Sequence, residues 1–377
     1  MSAGVDEPTA RNVALRAERP SPQELIEARH FLSTAHPRTP LRPSPQLSEL
    51  TGCNLHIKCE DESPIRSFKG RGATWCVARL SPTQRQAGVI TASTGNHGQG
   101  IAYAATHAGV RSVVVVPPGT SSIKMERIRW FGAELRIEGS DLSEAALAAQ
   151  AIAEAEGMCY VEDGEDAALM AGAATVGWEI LEDLPSTEVI VVPVGGGNLI
   201  AGIALVAKRL NPAVEIVGVQ SDAAPSVVRS YELGTLVEMP CATSAGGLAT
   251  RFAGALAFEV IRELVDSMIL VSENDLAEHI RESLRTRAVL IEAAAAAPFA
   301  ALERYGAAWK GRTVVLVQSG ANLSLDELRA VIGSGEDGGG GRLDELVRWG
   351  EDRGGGRPEE PVRWGSAAAG QPARGGR

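Results

Sequence analysis

The sequence predicts an α/β fold of two doubly wound, open-sheet lobes, and three observations lead there. Short β-branched runs alternate with Ala-rich segments of helical length. The runs are almost continuously apolar, without polar residues at every second position, as parallel strands covered on both faces require. The residue types that bear chemistry fall directly after the strands, where open α/β sheets hold their ligands.

In chain order, residues 1–21 are mixed and punctuated by proline, and are expected to be disordered. Strands are expected at GVI (88–90), SVVVVP (112–117), AELRI (133–137), EVIVVP (188–193), VEIVGVQ (214–220) and RTVVLVQ (312–318), with helices between them. The uncharged stretch VIVVPVGGGNLIAGIALVA, 189–207, is long enough to span a bilayer. Pro193 and three successive glycines interrupt it, so it reads as a buried strand, a glycine turn and a helix. From Gly335 the composition turns to Gly, Arg and Glu, with VRWG at 347–350 and again at 362–365. Such a segment buries too little apolar surface to offset its ordering entropy, so residues 334–377 are expected to form a disordered tail. The expected division is a large domain from 22–87 with 163–333, and a small domain from 88–162.

Composition narrows the function. A hydrophobic content of 44% with 22% charged residues is that of a soluble globular protein. A net charge of −11 with no basic patch argues against a nucleic-acid surface. The five cysteines are scattered and never form C-x-x-C, which suits a reducing cytoplasm and neither a disulfide framework nor a zinc site. No signal peptide is visible and no membrane attachment is expected.

Four segments carry chemistry. In PIRSFKGRGA (64–73), Lys69 follows Ser67 and Phe68; by itself it is equally a solvated charge at a helix start. GGGN, Gly195 to Asn198, joins a strand to a helix, so it is either a phosphate cradle of backbone N–H groups or a plain tight turn. TASTGNHGQG (91–100) sets Ser93, Thr94, Gly95, Asn96 and His97 around a helix N-terminus suited to a carboxylate. His97 there is a candidate general base, though a loop histidine bonded to backbone is the commoner case. QSGANLS (318–324) puts Ser319 at a strand end, facing a cleft or capping a turn.

Taken together and in this order, SFK-x-RGA, S-x-GNH, GGGN and SG-x-N resemble the fold type II pyridoxal-5′-phosphate (PLP) enzymes, the tryptophan synthase β-like fold with its cofactor between two lobes. The resemblance is to the serine/threonine dehydratase and serine racemase branch and covers residues 25–333. It implies that Lys69 forms the Schiff base with PLP and acts as the catalytic base, a task that needs a depressed lysine pKa. It further implies that Phe68 walls the site and that Asn96 bonds the ring hydroxyl. Gly195, Gly196, Gly197 and Asn198 match the phosphate loop, Ser319 matches the group facing the pyridine nitrogen, and Glu292 matches a glutamate near the ring. Ser67, Ser93, Thr94, Gly95 and His97 match the substrate-binding segments. A neutral serine at the pyridine nitrogen weakens the electron sink and favours β-elimination. The implied activity is an ammonia-lyase (dehydratase) that converts a small β-hydroxy α-amino acid, L-threonine or L-serine, to a 2-oxo acid and ammonia.

Departures from the pattern keep other readings open. The family segment often reads Q-P-T-G-S-F-K, and Arg66 here replaces a small residue: it is either an exposed arginine on a turn or points into the cleft, where it would favour an acidic substrate such as 3-hydroxyaspartate. Thr94 carries a hydroxyl where serine racemases carry a catalytic serine, so it is a candidate opposite-face acid/base. Gln220, Ser226 and Gly246 stand where acids would hold a divalent cation in relatives, so no metal is expected. Nor is feedback inhibition by a branched-chain amino acid, since only the Gly/Arg-rich tail follows the catalytic region. The rivals are a racemase, a lyase of a specialised pathway, a β-replacement enzyme such as cysteine synthase, and a non-catalytic PLP or amino-acid-binding protein. Analogy with relatives implies a homodimer.

Overall fold

In the computed structural model, the described residues are 18–164 and 166–333, together with the backbone of 9 and 10. The twelve strands among them are β1 (Thr9–Ala10), β2 (Leu41–Pro43), β3 (Asn54–Cys59), β4 (Val89–Ala92), β5 (Ser112–Val116), β6 (Glu134–Ile137), β7 (Cys159–Tyr160), β8 (Val189–Pro193), β9 (Glu215–Ser221), β10 (Val237–Glu238), β11 (Ser267–Val271) and β12 (Thr313–Gln318). They form a six-stranded sheet in the order β11-β9-β8-β12-β3-β2 and a four-stranded sheet in the order β6-β5-β4-β7. Every pairing in both is parallel except β2 with β3, an antiparallel edge.

Every strand expected from the sequence is present. The apolar runs are explained by burial on both faces: Val189 and Val191 pack with the helix Ala293–Tyr305, while Ile190 and Val192 between them pack with the helices Ala167–Asp183 and Asn198–Leu210. The smaller sheet repeats the arrangement. Val113 and Val115 meet Ala145, Ala149 and Ala153 of the helix Leu142–Glu156, and Val114 and Val116 meet Ala102 and Ile128. The uncharged stretch 189–207 forms β8, a glycine turn and the start of a buried helix. No described helix is long and apolar enough to cross a membrane.

Two findings differ from expectation. Part of the N-terminal segment is structured: β1 pairs antiparallel with β10, Arg19 pairs with Glu263, and Ser21 caps the helix Pro22–Ala35. Here hydrogen bonds to the body of the protein supply what the composition does not. The sequence pattern also passed over β3 and β11, and the short β2, β7 and β10. β3 carries His56 and Lys58 among its apolar residues, and Lys58 is tolerated fully buried because its Nζ donates a hydrogen bond to Glu179 Oε2, 121 residues on, at 2.5 Å. The expected tail of 334–377, with both VRWG copies, lies outside the described residues.

Candidate active site

The loops after β3, β4, β7, β8 and β12 converge at the carboxyl ends of the two sheets. They enclose one cavity of about 550 Å³, within the range that small ligands occupy. Lys69 reaches it through a backbone splice. The segment 66–68 runs antiparallel to 319–321: Phe68 N donates to Ser319 O at 3.1 Å, Ala321 N donates to Arg66 O at 3.0 Å, and Ser67 bridges Gly320. This splice sets Lys69, the first residue of the helix Lys69–Ala78, beside Ser319.

Two residues further along that helix, Arg71 anchors it in a buried charge network. Its guanidinium donates to Glu60 Oε2 at 2.8 Å and to Glu179 Oε1 at 2.6 Å, and Lys58 shares Glu179. Two cations and two carboxylates balance, and Thr39 and Thr175 take further bonds. Burial works against the charge on Glu179, but Arg71 and Lys58 outweigh it and hold its carboxyl at about 2. Removing one member would leave its partners buried and unpaired, at a cost of about 3–5 kcal/mol.

The cavity is lined by Phe68, Lys69, Ser93 to His97, Gly195 to Asn198, Glu292 and Ser319, so the structure brings these sequence-predicted residues together. Two others stand apart from the lining. Ser67 is fully buried, its backbone locked to Ser63 Oγ. Arg66 is exposed, with a left-handed φ of 55° that explains why a small residue is usual at its place.

His97 is 3% exposed, and its Nε2 lies 3.3 Å from Val161 O, so the backbone orients it. Burial lowers its pKa, with Lys69 adding to the effect. Asn96 donates through Nδ2 to both oxygens of Glu292 at 3.0 Å, and accepts from Asn322 Nδ2 at 2.7 Å. Burial raises the Glu292 carboxyl above its usual range, which the Asn96 bonds only partly offset.

Sequence reasoning missed two residues of this site. Asn322, the last residue of SG-x-N, ties the Ser319 loop to Asn96 and Ile65. Asp163 lines the cavity, and its Oδ1 lies 2.5 Å from Lys69 Nζ and 3.9 Å from His97 Nδ1. Desolvation in the cavity works against the charge of Asp163, whose side chain is still 40% exposed, but Lys69 and His97 outweigh it and lower the carboxyl to about 2. It follows β7, a two-residue strand that the sequence pattern did not mark, so its place past a strand end was not legible.

The residues fit a phosphorylated, aromatic aldehyde. Asn198, 6% exposed at the start of its helix, has no hydrogen-bond partner on either side-chain polar atom. A Cβ at Gly196 would meet nothing within 4 Å, so the glycine turn opens directly on the cavity. Together they offer an unfilled polar cradle at a helix N-terminus, a ready anion site. Lys69 supplies an amine and the Phe68 ring, 5.3 Å from its Nζ, an apolar wall. Gln220 and Ser226, by contrast, bond within the protein, to Val227 and Val228 N and to Thr250 O. No cluster of three or more His, Cys, Asp or Glu side chains suited to a metal occurs among the described residues.

Comparison with known proteins gives concordant results. The model of the pyridoxal-phosphate dependent enzyme family matches residues 32–320. An L-threonine ammonia-lyase of Thermotoga maritima is 38% identical over 315 residues, covering 83% of this chain and 78% of that protein. The processed form of threonine deaminase isoform 2 from Solanum lycopersicum superposes with a TM-score of 0.79 at 30% identity, over 88% of this chain and 99% of its own. Maize serine racemase follows with a TM-score of 0.78 at 27% identity, over the same shares.

Proposed function

The chain belongs to the pyridoxal-phosphate dependent enzymes, and on that footing we propose that it is an ammonia-lyase for a small β-hydroxy α-amino acid, L-threonine or L-serine. One observation carries the reading: the lysine, the glycine cradle, the carboxylate loop and Ser319 line a single cavity.

PLP, when bound, supplies the electron sink that acidifies the substrate Cα–H and allows the β-hydroxyl to leave. Lys69 would hold its carbonyl carbon and, once released, take the Cα proton. Gly195 to Asn198 would hold the phosphate, Ser319 would face the pyridine nitrogen, and Asn96 with Glu292 would lie at the ring. Ser93, Thr94, Gly95 and His97 would receive the substrate carboxylate at the start of the helix Asn96–His107, where backbone N–H groups and the helix field favour an anion. Thr94 in the lining favours a second reading, racemisation, with its hydroxyl as the opposite-face acid. The five free cysteines support a cytoplasmic location. The net charge of −11 supports an amino-acid substrate with no nucleic-acid partner, and analogy supports a homodimer.

The test is to assay 2-oxo acid release from L-threonine, L-serine and D-serine, with chiral analysis of residual serine, in the protein and in Lys69→Ala. Oxo acid from threonine or serine, lost in Lys69→Ala along with the visible absorbance of lysine-bound cofactor, is the expected result. Inverted serine without oxo acid transfers the reading to Thr94, and a protein that PLP does not colour refutes both.

A further inference from the structure

Lys69 does not face its cavity alone. Asp163 stands 2.5 Å from its Nζ, and so faces whatever Lys69 acts on. On the reading above, Lys69 first commits its nitrogen to the cofactor, and then works at the substrate Cα. While it is committed, the Asp163 carboxylate keeps only His97, at 3.9 Å, from its present ion partners. Burial of that ring opposes a positive charge on it. A carboxylate left without a cation in a partly enclosed cavity attracts a positive group and repels a negative one.

The rest of the lining points the same way. Its remaining Lys or Arg among the described residues is Lys124, and that ammonium is already bonded to Glu327 Oε1 at 3.0 Å. Arg66, whose charge suggested an acidic substrate, is exposed and outside the lining. A substrate with an anionic β-substituent therefore meets Asp163 without a free cation to offset it.

We infer, on the ammonia-lyase reading, that Asp163 selects the charge of the substrate's β-substituent, and that the site takes α,β-diamino acids such as L-2,3-diaminopropionate while rejecting β-carboxylates. The chemistry balances without a further reagent. Lys69 takes the Cα proton, that electron pair forms the Cα–Cβ double bond, and the Cβ–N bond breaks with its pair leaving on nitrogen. A β-ammonium departs as ammonia and needs no proton donor, unlike a β-hydroxyl. Water then hydrolyses the remaining imino acid, so that one diamino acid and one water give a 2-oxo acid and two ammonium ions.

The experiment compares the PLP-loaded protein with Asp163→Asn. kcat/KM is measured for L-2,3-diaminopropionate, L-threonine and L-threo-3-hydroxyaspartate. Binding of L-2,4-diaminobutyrate and L-aspartate, charged amino acids that lack a β-leaving group, is measured by the change in cofactor absorbance. Turnover of the diamino acid is expected, with the ratio of diamino acid to 3-hydroxyaspartate falling at least about tenfold in Asp163→Asn, which is about 1.4 kcal/mol. The binding preference for diaminobutyrate over aspartate is expected to fall likewise. Damage to Lys69 alone would lower all three turnovers together and leave both ratios unchanged, which overturns the inference. So does a protein that turns over threonine but not the diamino acid. No turnover of any of the three, nor of L-serine, refutes the lyase reading instead, and the binding ratios still decide the role of Asp163.

Discussion

Three adjacent glycines after β8 allow the cofactor cradle to be separated from the fold. A Cβ at Gly195 would lie 2.3 Å from Gly247 O, a backbone atom that cannot swing aside. Gly197 has φ 105°, and its Cβ would approach Ile261 Cδ1 at 2.8 Å and Ala257 Cβ at 2.9 Å. Strain of about 1–2 kcal/mol from the left-handed backbone and about 1–3 kcal/mol from overpacking make Gly197→Ala cost about 2–5 kcal/mol. Gly196→Ala meets nothing within 4 Å and sits in ordinary backbone, so its stability is expected to stay within about 1 kcal/mol of the parent. Its methyl enters the cavity where the phosphate would approach the turn. Loss of one charge-assisted N–H bond is worth about 1.5–3 kcal/mol, or roughly a tenfold to hundredfold weaker PLP affinity. Urea unfolding of the apoproteins and absorbance titration with PLP measure the two quantities independently. Gly196→Ala that binds PLP as tightly as the parent would refute the cradle, and Gly196→Ala as unstable as Gly197→Ala would refute the geometry.

Two predictions concern stability. Acid should weaken the fold in two successive windows. Burial, then Arg71, lowers His36 from 6.5 to about 4. The unfolded chain therefore takes up a proton between those values that the folded chain refuses, and stability falls with pH by about 3 kcal/mol. Glu179, which Arg71 and Lys58 hold below its usual range against burial, adds a further loss below pH 4.5 as its carboxylate protonates and gives up those partners. Urea unfolding from pH 7 to pH 3 should show the decline starting near 6.5, and His36→Gln should shrink the upper window to the share of His56 and His97, whose pKa values burial also lowers. Arg66→Gly relieves the φ of 55° and is expected to raise stability by about 1 kcal/mol. A loss of that size would mean that the Arg66 side chain makes a contact worth more than the strain.

The sequence alone determined the strand-helix alternation, the chemistry after each strand and the lysine, because these rest on local sterics and on burial patterns written over a few residues. The GGGN turn and the start of its helix were legible for that reason, as glycine and a helix N-terminus carry their meaning in place. Only the tertiary structure decided what the lysine faces. Lys69 and Asp163 are 94 residues apart, and Asn96 and Glu292 are 196 apart. Such pairs are created by the parallel sheets, whose crossovers return distant loops to one edge. β3 was hidden because Lys58 breaks its apolar pattern, and its charge is tolerable inside only where Glu179 comes from another helix to meet it. Arg66 offered a charge in the right motif, but the left-handed turn that holds it leaves its side chain exposed and outside the cavity, while Asp163, unremarked in the sequence, lines it.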